Sequence, residues 1–215
     1  PGSFDFAYGE DFGAHIEAFH PDFVKALVRW NPDDGPTLKR QQGERLRRLG
    51  AWLSERGYRF LLELLVPPSE RQLALVAGEA TDFDHHMRPR LMLEAVQEMR
   101  EAGIEPDAWK IEGIDTREGC ELVARLLCRD QRERVGALVL GRGADRRRVE
   151  HWVRTAAAVP GYAGFAIGRT IWWDGVQGWR DGTLSRAQAA GAIAAAYRHF
   201  VNVYEEAERQ RPPAC

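Results

Sequence analysis

Asp107–Gly113 (DAWKIEG) is the stretch of sequence that decides the fold. It reads as a short, largely buried strand that contains one lysine. Side chains two residues apart in a strand point to the same face, so Lys110 and Glu112 share one side, and Trp109 and Ile111 share the other. A buried ammonium group is costly, and a lysine that loses its charge readily suits Schiff-base chemistry. On this segment alone, the ordinary interpretation is favoured, in which Lys110 reaches water or pairs with Glu112.

Strands alternate with helices on both sides of this segment. Four further strands are predicted at Phe23–Trp30, Arg59–Val66, Gly136–Leu140 and Gly164–Gly168, bounded by Gly and Pro clusters. This alternation predicts an α/β fold with a parallel sheet, and the spacing of roughly 30 residues per unit is close to that of a (β/α)8 TIM barrel. Five units do not close an eight-stranded barrel. The chain is therefore either an open doubly wound sheet or the last five β/α units of a barrel whose N-terminal strands are missing.

Local signals give the helices between these strands. Thr37 is expected to cap a helix that runs to about Arg56, and Asp145 to cap one that runs to about Ala157. A polar loop is predicted over residues 81–86, and a long closing helix over Leu184–Glu208.

The composition fits a single globular domain spanning residues 1–215. The chain has 215 residues, of which 44% are hydrophobic, enough for one sizeable core. Its 30 Lys and Arg nearly balance its 32 Asp and Glu, which argues against a nucleic-acid partner.

The cysteines and the apolar runs indicate the compartment. Cys120, Cys128 and Cys215 form neither a disulfide framework nor a metal-binding pattern, so a reducing, cytoplasmic setting is expected. No charged-then-apolar leader and no apolar run near the ~20 residues needed to span a bilayer are found, so no membrane partner is expected. The opening Pro1-Gly2-Ser3, without Met, is read as a cloning scar or a truncation point.

Charged side chains occur within three successive predicted strands: Lys25, Glu63, and the pair Lys110 and Glu112. In parallel α/β folds, polar groups on neighbouring strands converge near the carboxyl edge of the sheet, where sites are built. The alternative is a buried Lys–Glu–Lys ion network that only holds the sheet together, a costly way to gain stability. Three charges on three successive strands favour the functional interpretation.

Two glycine–arginine motifs follow the last two strands. They are Gly141-Arg142-Gly143 and Gly168-Arg169. Glycine lets a backbone approach a phosphate, N–H groups at a following helix start point towards it, and arginine supplies a two-pronged donor. These motifs predict an anion site, while the alternative is two ordinary turns with solvated arginines.

A metal site is not predicted. His85 and His86 lie near Asp82 and Asp84, but no second ligand set with recognisable spacing accompanies them, and a solvated loop is favoured. No cofactor is expected.

Several short motifs form a recognisable set. They are Asp22–Lys25 (DFVK) with Asn31-Pro32, Phe60–Glu63 (FLLE), Glu105–Gly113 (EPDAWKIEG) and Gly168–Trp172 (GRTIW). Together they resemble the class I tagatose-bisphosphate aldolase superfamily and, more closely, the 5-dehydro-2-deoxyphosphogluconate aldolase-like domain associated with sugar kinases of inositol catabolism. The resemblance extends from about Phe4 to Tyr204.

The resemblance implies a TIM-barrel class I aldolase that cleaves a phosphorylated keto-sugar or keto-sugar acid. Lys110 matches the Schiff-base lysine and Glu63 the acid/base glutamate, while Lys25 and Glu112 are expected to bind substrate. The phosphate-binding positions are Gly141, Arg142, Gly143, Gly168 and Arg169. A small phosphosugar is the expected partner, and a homo-oligomer the expected assembly. The family's first three strands have no counterpart in this sequence.

Two alternatives to an aldolase remain open. The chain could be a non-catalytic phosphosugar-binding or assembly domain derived from the aldolase barrel. A metal-dependent aldolase or isomerase is disfavoured because no His ligands occur at metal-binding spacing.

Overall fold

The computed structural model of the chain describes residues 4–128 and 135–211. In these residues strands alternate with helices, as predicted. The strands are β1 (Phe23–Arg29), β2 (Arg59–Leu65), β3 (Ala108–Glu112), β4 (Gly136–Leu140) and β5 (Tyr162–Phe165). The helices are α1 (Phe12–Phe19), α2 (Pro36–Glu55), α3 (Glu70–Leu75), α4 (Ala80–His86), α5 (Arg88–Glu101), α6 (Arg117–Leu127), α7 (Arg146–Ala157), α8 (Arg169–Arg180) and α9 (Arg186–Glu208).

The five strands belong to one sheet and are hydrogen-bonded in sequence order, β1-β2-β3-β4-β5. β1 pairs with β2 in parallel, and β4 pairs with β5 in parallel. A doubly wound sheet reverses its strand order at a switch point, whereas a barrel sheet adds each strand beside the previous one. The order therefore confirms the barrel-type α/β fold with five β/α units, forming part of a barrel, over the doubly wound alternative.

The described residues group into two compact units. The first contains residues 4–109, 126–128 and 135–136, and the second contains residues 110–125 and 137–211.

The core of the first unit follows from the periodicities of α2 and β2. Leu46, Leu49 and Leu53 recur at helical spacing on α2 and are at most 4% exposed. Phe60 and Leu62 alternate along β2 and are at most 2% exposed. Burial of each such side chain contributes roughly 1.5–3 kcal/mol to folding.

In the second unit, two helices begin at side-chain caps. The Asp145 carboxylate accepts a hydrogen bond from the backbone N–H of Arg148, which confirms the predicted cap of α7. Ser185 and Gln188 form a reciprocal capping box at the start of α9.

Three local predictions are wrong. The last strand, predicted at Gly164–Gly168, is β5 at Tyr162–Phe165, and Gly168 is the N-cap residue of α8. Residues 81–86, predicted as a loop, lie in α4, where Phe83 is fully buried and Asp84 forms a buried ion pair with Arg88. Thr37 does not cap α2, because the helix starts one residue earlier, at Pro36, and Gly35 is its N-cap residue.

Among residues 4–128 and 135–211, no helix has the length and apolar character needed to cross a lipid bilayer.

Candidate functional site

The first unit brings together two of the predicted site residues, Lys25 on β1 and Glu63 on β2. In the register of these strands, Leu27 lies opposite Glu63. Lys25 Nζ lies 2.8 Å from Glu63 Oε2. The Glu63 side chain is 11% exposed and that of Lys25 is 47% exposed. An ion pair with one half-exposed partner stabilises a fold only weakly. Because its side chain is 47% exposed, Lys25 keeps its amine accessible to a ligand.

In the second unit, β3 carries Lys110 and Glu112 on one face, as the alternation of side chains requires. Lys110 is half-buried, and Glu112 is only 4% exposed. The Arg142 guanidinium reaches this carboxylate, with Arg142 Nη1 3.3 Å from Glu112 Oε1. A predicted substrate-binding residue and a predicted phosphate-binding residue are therefore in direct contact.

Arg142 reaches Glu112 from a tight turn that follows β4. The Ala144 N–H donates to the Gly141 carbonyl at 2.9 Å. The two central residues, Arg142 and Gly143, have φ values of 49° and 73°. The left-handed region suits glycine, but it costs an arginine about 1 kcal/mol. Strain of this kind at a predicted site is a feature that often accompanies function.

Arg169 lies against the same turn. It is the first residue of α8, whose N-cap residue, Gly168, offers no side chain to the helix N–H groups. A Cβ atom added to Gly143 would lie 2.7 Å from Arg169 Nη2, so the guanidinium lies close to the backbone of this turn. The Thr170 hydroxyl donates to the Ala144 carbonyl at 3.2 Å. The structure thus joins the two predicted phosphate-binding motifs.

A cavity of about 550 Å³ lies beside these motifs. Its lining consists of residues 143–146 together with Arg169, Thr170, Trp173 and Asp174. Two arginines, Arg146 and Arg169, and an exposed tryptophan therefore line one space. The sequence analysis did not identify Trp173 or Asp174, although their spacing of four and five residues from Arg169 places them on one helix face.

A third feature holds the end of β3 in place. The Trp152 indole N–H donates to Asp115 Oδ1 at 2.7 Å. A Cβ atom on Gly113 would lie 2.1 Å from Trp152 Cδ2, so the indole packs directly on the backbone that follows Glu112. The sequence analysis missed this contact because a tryptophan on α7 gives no sign of its partner.

Metal-binding and redox features are limited. Within the described ranges, no group of three or more His, Cys, Asp or Glu side chains is arranged to hold a metal ion. Cys120 and Cys128 are free thiols. Burial raises the pKa of the Cys120 thiol to about 12, so it stays protonated near neutral pH. Cys215 lies outside the described residues.

Solved structures with similar folds include aldolases. Fructose-bisphosphate aldolase from Plasmodium falciparum, solved with TRAP and a small-molecule inhibitor, superimposes with a TM-score of 0.61 at 12% identity, covering 95% of this chain and 63% of that one. The protein Cgl0159 from Corynebacterium glutamicum gives a TM-score of 0.52 at 18% identity, covering 86% and 54%. The YdjI aldolase from Escherichia coli K12 gives a TM-score of 0.46 at 12% identity, covering 92% and 62%.

At 12% identity the similarity to fructose-bisphosphate aldolase establishes an aldolase-type fold and does not identify a substrate. The chain spans less than two thirds of the length of each of these structures. Among curated proteins, no sequence matches it significantly.

A family model matches almost the whole sequence. It covers residues 1–208. The chain therefore belongs to the family described as "Uncharacterized protein conserved in bacteria (DUF2090)".

Proposed function

We propose that this chain is a class I aldolase in which Lys110 forms a Schiff base with a phosphorylated keto-sugar or keto-sugar acid. The observation that carries the proposal is the arrangement in the second unit. A half-buried lysine shares a strand face with a buried glutamate, and that glutamate contacts a glycine–arginine turn suited to a phosphate. This arrangement occurs in an aldolase-type fold.

The cation content of the chain supports a chemical role for Lys110. Of its 30 lysines and arginines, only Lys25, Lys39 and Lys110 are lysines. The chain thus uses arginine almost everywhere that a positive charge is needed. An arginine cannot form a Schiff base because its guanidinium stays protonated, whereas a lysine carries a primary amine that can. Two of the three lysines lie in strands.

The reaction follows from these groups. Lys110 Nζ attacks the ketone carbon of the substrate, and loss of water gives a protonated imine. The bond between the α and β carbons then breaks, its electron pair forms an enamine, and the β-hydroxyl proton passes to a carboxylate base. Protonation of the enamine and hydrolysis release dihydroxyacetone phosphate and restore the lysine; the aldehyde is the other product.

The remaining roles follow the family resemblance. Glu63 serves as the acid/base group, and Lys25 and Glu112 bind substrate. The phosphate is held by Arg169, by the N–H groups at the start of α8, and by the turn at Gly141, Arg142 and Gly143 with Gly168. The chain acts as a single aldolase-like domain in a cytoplasmic homo-oligomer, in inositol or other carbohydrate catabolism.

A second candidate is a phosphosugar-binding or assembly domain without turnover. The observation that favours it is the 12% identity with fructose-bisphosphate aldolase, because at this identity the fold is shared and the activity need not be. Such a domain would keep the phosphate-binding turn and lose cleavage.

Cleavage assays with lysine variants separate the two candidates. Fructose 1,6-bisphosphate and tagatose 1,6-bisphosphate are test substrates, with dihydroxyacetone phosphate measured by coupled reduction. We expect Lys110→Met to reduce cleavage to background. Lys39→Met is the matched control because Lys39 Nζ binds Glu98 Oε1 at 2.9 Å and has no proposed role. A folded Lys110→Met variant that retains cleavage excludes the Schiff-base role.

A further inference from the structure

The cavity of about 550 Å³ beside the glycine–arginine turn has the size of a small-molecule site. One wall is formed by α8, where Arg169, Thr170, Trp173 and Asp174 share a helix face. The opposite wall is the stretch 143–146, which runs from the turn into the start of α7.

Three of the four charged side chains that line this cavity have no partner among the residues that the structure describes. Many exposed arginines elsewhere are paired along their helices, such as Arg117 with Glu121 and Arg154 with Glu150. In contrast, within residues 4–128 and 135–211, the side chains of Arg146, Arg169 and Asp174 form no hydrogen bond or ion pair. Two arginines that line one cavity can provide the donors that a phosphate requires.

The cavity also contains groups that suit a neutral, hydroxylated chain. The Trp173 indole is 45% exposed, so a broad aromatic surface faces the space. Because no described residue pairs with the Asp174 carboxylate, it can accept hydrogen bonds from hydroxyl groups. The Asp145 carboxylate also lines the cavity, and one of its oxygens accepts from Arg148 N–H. Two carboxylates beside the arginines disfavour a second anionic group.

We infer that this cavity binds the monophosphate end of a polyhydroxylated ligand, and that Trp173 and Asp174 determine its specificity. The phosphate lies between Arg146 and Arg169, the carbon chain packs on Trp173, and a hydroxyl donates to Asp174. The inference rests on the proposed function in one respect, because the ligand is taken to be the substrate of the aldolase.

Calorimetric titration of the full chain tests the inference, with sorbitol 6-phosphate, sorbitol, inorganic phosphate and pyrophosphate as ligands. Sorbitol 6-phosphate is expected to bind more tightly than the other three. Trp173→Phe is expected to weaken its binding about fivefold, as for loss of one aromatic contact. Asp174→Asn is expected to weaken its binding about tenfold, to leave phosphate binding unchanged and to improve pyrophosphate binding.

Two residues of the same helix region supply matched controls. Trp179 is 56% exposed and lies outside the cavity lining, and Asp181 follows the end of α8. Trp179→Phe and Asp181→Asn are expected to bind all four ligands as the parent does. Because the changed side chains are exposed, circular dichroism is expected to show the same fold for every variant.

The outcomes separate this inference from the aldolase proposal. If Trp173→Phe and Asp174→Asn keep the parent's preference for sorbitol 6-phosphate over phosphate, the inference is overturned. It is also overturned if no phosphate compound binds, even where Lys110 still forms a Schiff base. Conversely, normal binding that depends on Trp173, in a protein with no reactive Lys110, supports the inference and contradicts the proposed reaction.

Discussion

Arg142 Nη1 lies 3.3 Å from Glu112 Oε1, and this contact joins the turn after β4 to the strand that carries Lys110. The Glu112 side chain is 4% exposed and that of Arg142 is 31% exposed. Arg142 adopts a φ of 49° to make the contact. A left-handed backbone is unfavourable for an arginine. We therefore infer that the ion pair with Glu112 holds Arg142, and with it the turn, in this conformation.

Substitutions at Arg142 separate backbone strain from the ion pair. Both Arg142→Ala and Arg142→Gly remove the guanidinium, which costs about 1–3 kcal/mol as for a hydrogen bond to a charged group. Only glycine tolerates the left-handed backbone without strain. We therefore expect Arg142→Gly to be about 1 kcal/mol more stable than Arg142→Ala in urea denaturation. Equal stabilities would show that the backbone at Arg142 is unstrained.

Gly113 is expected to tolerate no side chain. In Gly113→Ala the new Cβ would lie 2.1 Å from Trp152 Cδ2, and we expect a loss of about 1–3 kcal/mol from overpacking. The matched control is Gly191→Ala in α9, where no atom lies within 4 Å of the added Cβ. That change is expected to stabilise the protein by about 0.5–1 kcal/mol. If both variants denature at the same urea concentration, Trp152 does not pack on Gly113.

Glu63→Gln tests the proposed proton transfer. This change keeps the shape of the side chain and removes the base, so we expect kcat for cleavage to fall about 10²–10⁴-fold. Stability is expected to change by less than about 1 kcal/mol because Lys25, the partner of Glu63, is 47% exposed. Glu98→Gln, which breaks the similar 2.9 Å pair with Lys39, is the control. Equal kcat values for the two variants would remove Glu63 from the mechanism.

Because the Cys120 thiol is buried, we expect the protein to lose stability at alkaline pH. Burial raises the pKa of its thiol from 9.0 to about 12 in the folded protein. Above pH 9 the unfolded chain loses this proton while the folded chain keeps it, so the contribution is complete below pH 9 and is lost between pH 9 and about 12. Each pH unit in this range lowers the free energy of unfolding by up to about 1.4 kcal/mol.

Urea denaturation from pH 7 to pH 10.5 gives the free energy of unfolding of the parent protein and of Cys120→Ala at each pH. The absolute stability of the variant reflects its smaller side chain, so the slope with pH is the quantity compared. We expect a shallower slope above pH 9 for the variant. Parallel slopes would show that the thiol titrates alike in the folded and unfolded chains.

The fold could be predicted from local signals to a large extent. Gly and Pro clusters marked the strand ends, and alternation along DAWKIEG correctly placed Lys110 and Glu112 on one face. The loop predicted over residues 81–86 was wrong because the contacts that stabilise α4 are tertiary. Phe83 is an isolated apolar residue, and the polar Asp84 is buried in an ion pair with Arg88.

The candidate site was less accessible to sequence reasoning. The two glycine–arginine motifs were identified, but the contact of Arg142 with Glu112 depends on a left-handed residue that favours glycine. The packing of Trp152 on Gly113 joins residues far apart in the chain, and one sequence does not reveal such a partner. Trp173 lies one helical turn beyond Arg169. This spacing indicates a site residue only when α8 is known to line a cavity.

Reductive trapping tests the central claim most directly. The chain is incubated with dihydroxyacetone phosphate and sodium borohydride, and the adduct is located by intact mass and peptide mapping. With Lys25, Lys39 and Lys110 as the only lysines, the assignment is unambiguous. The account predicts a single adduct on Lys110 that Lys110→Met abolishes and Lys39→Met retains. A folded protein that forms no adduct, or forms it equally on Lys25 and Lys39, would contradict the account.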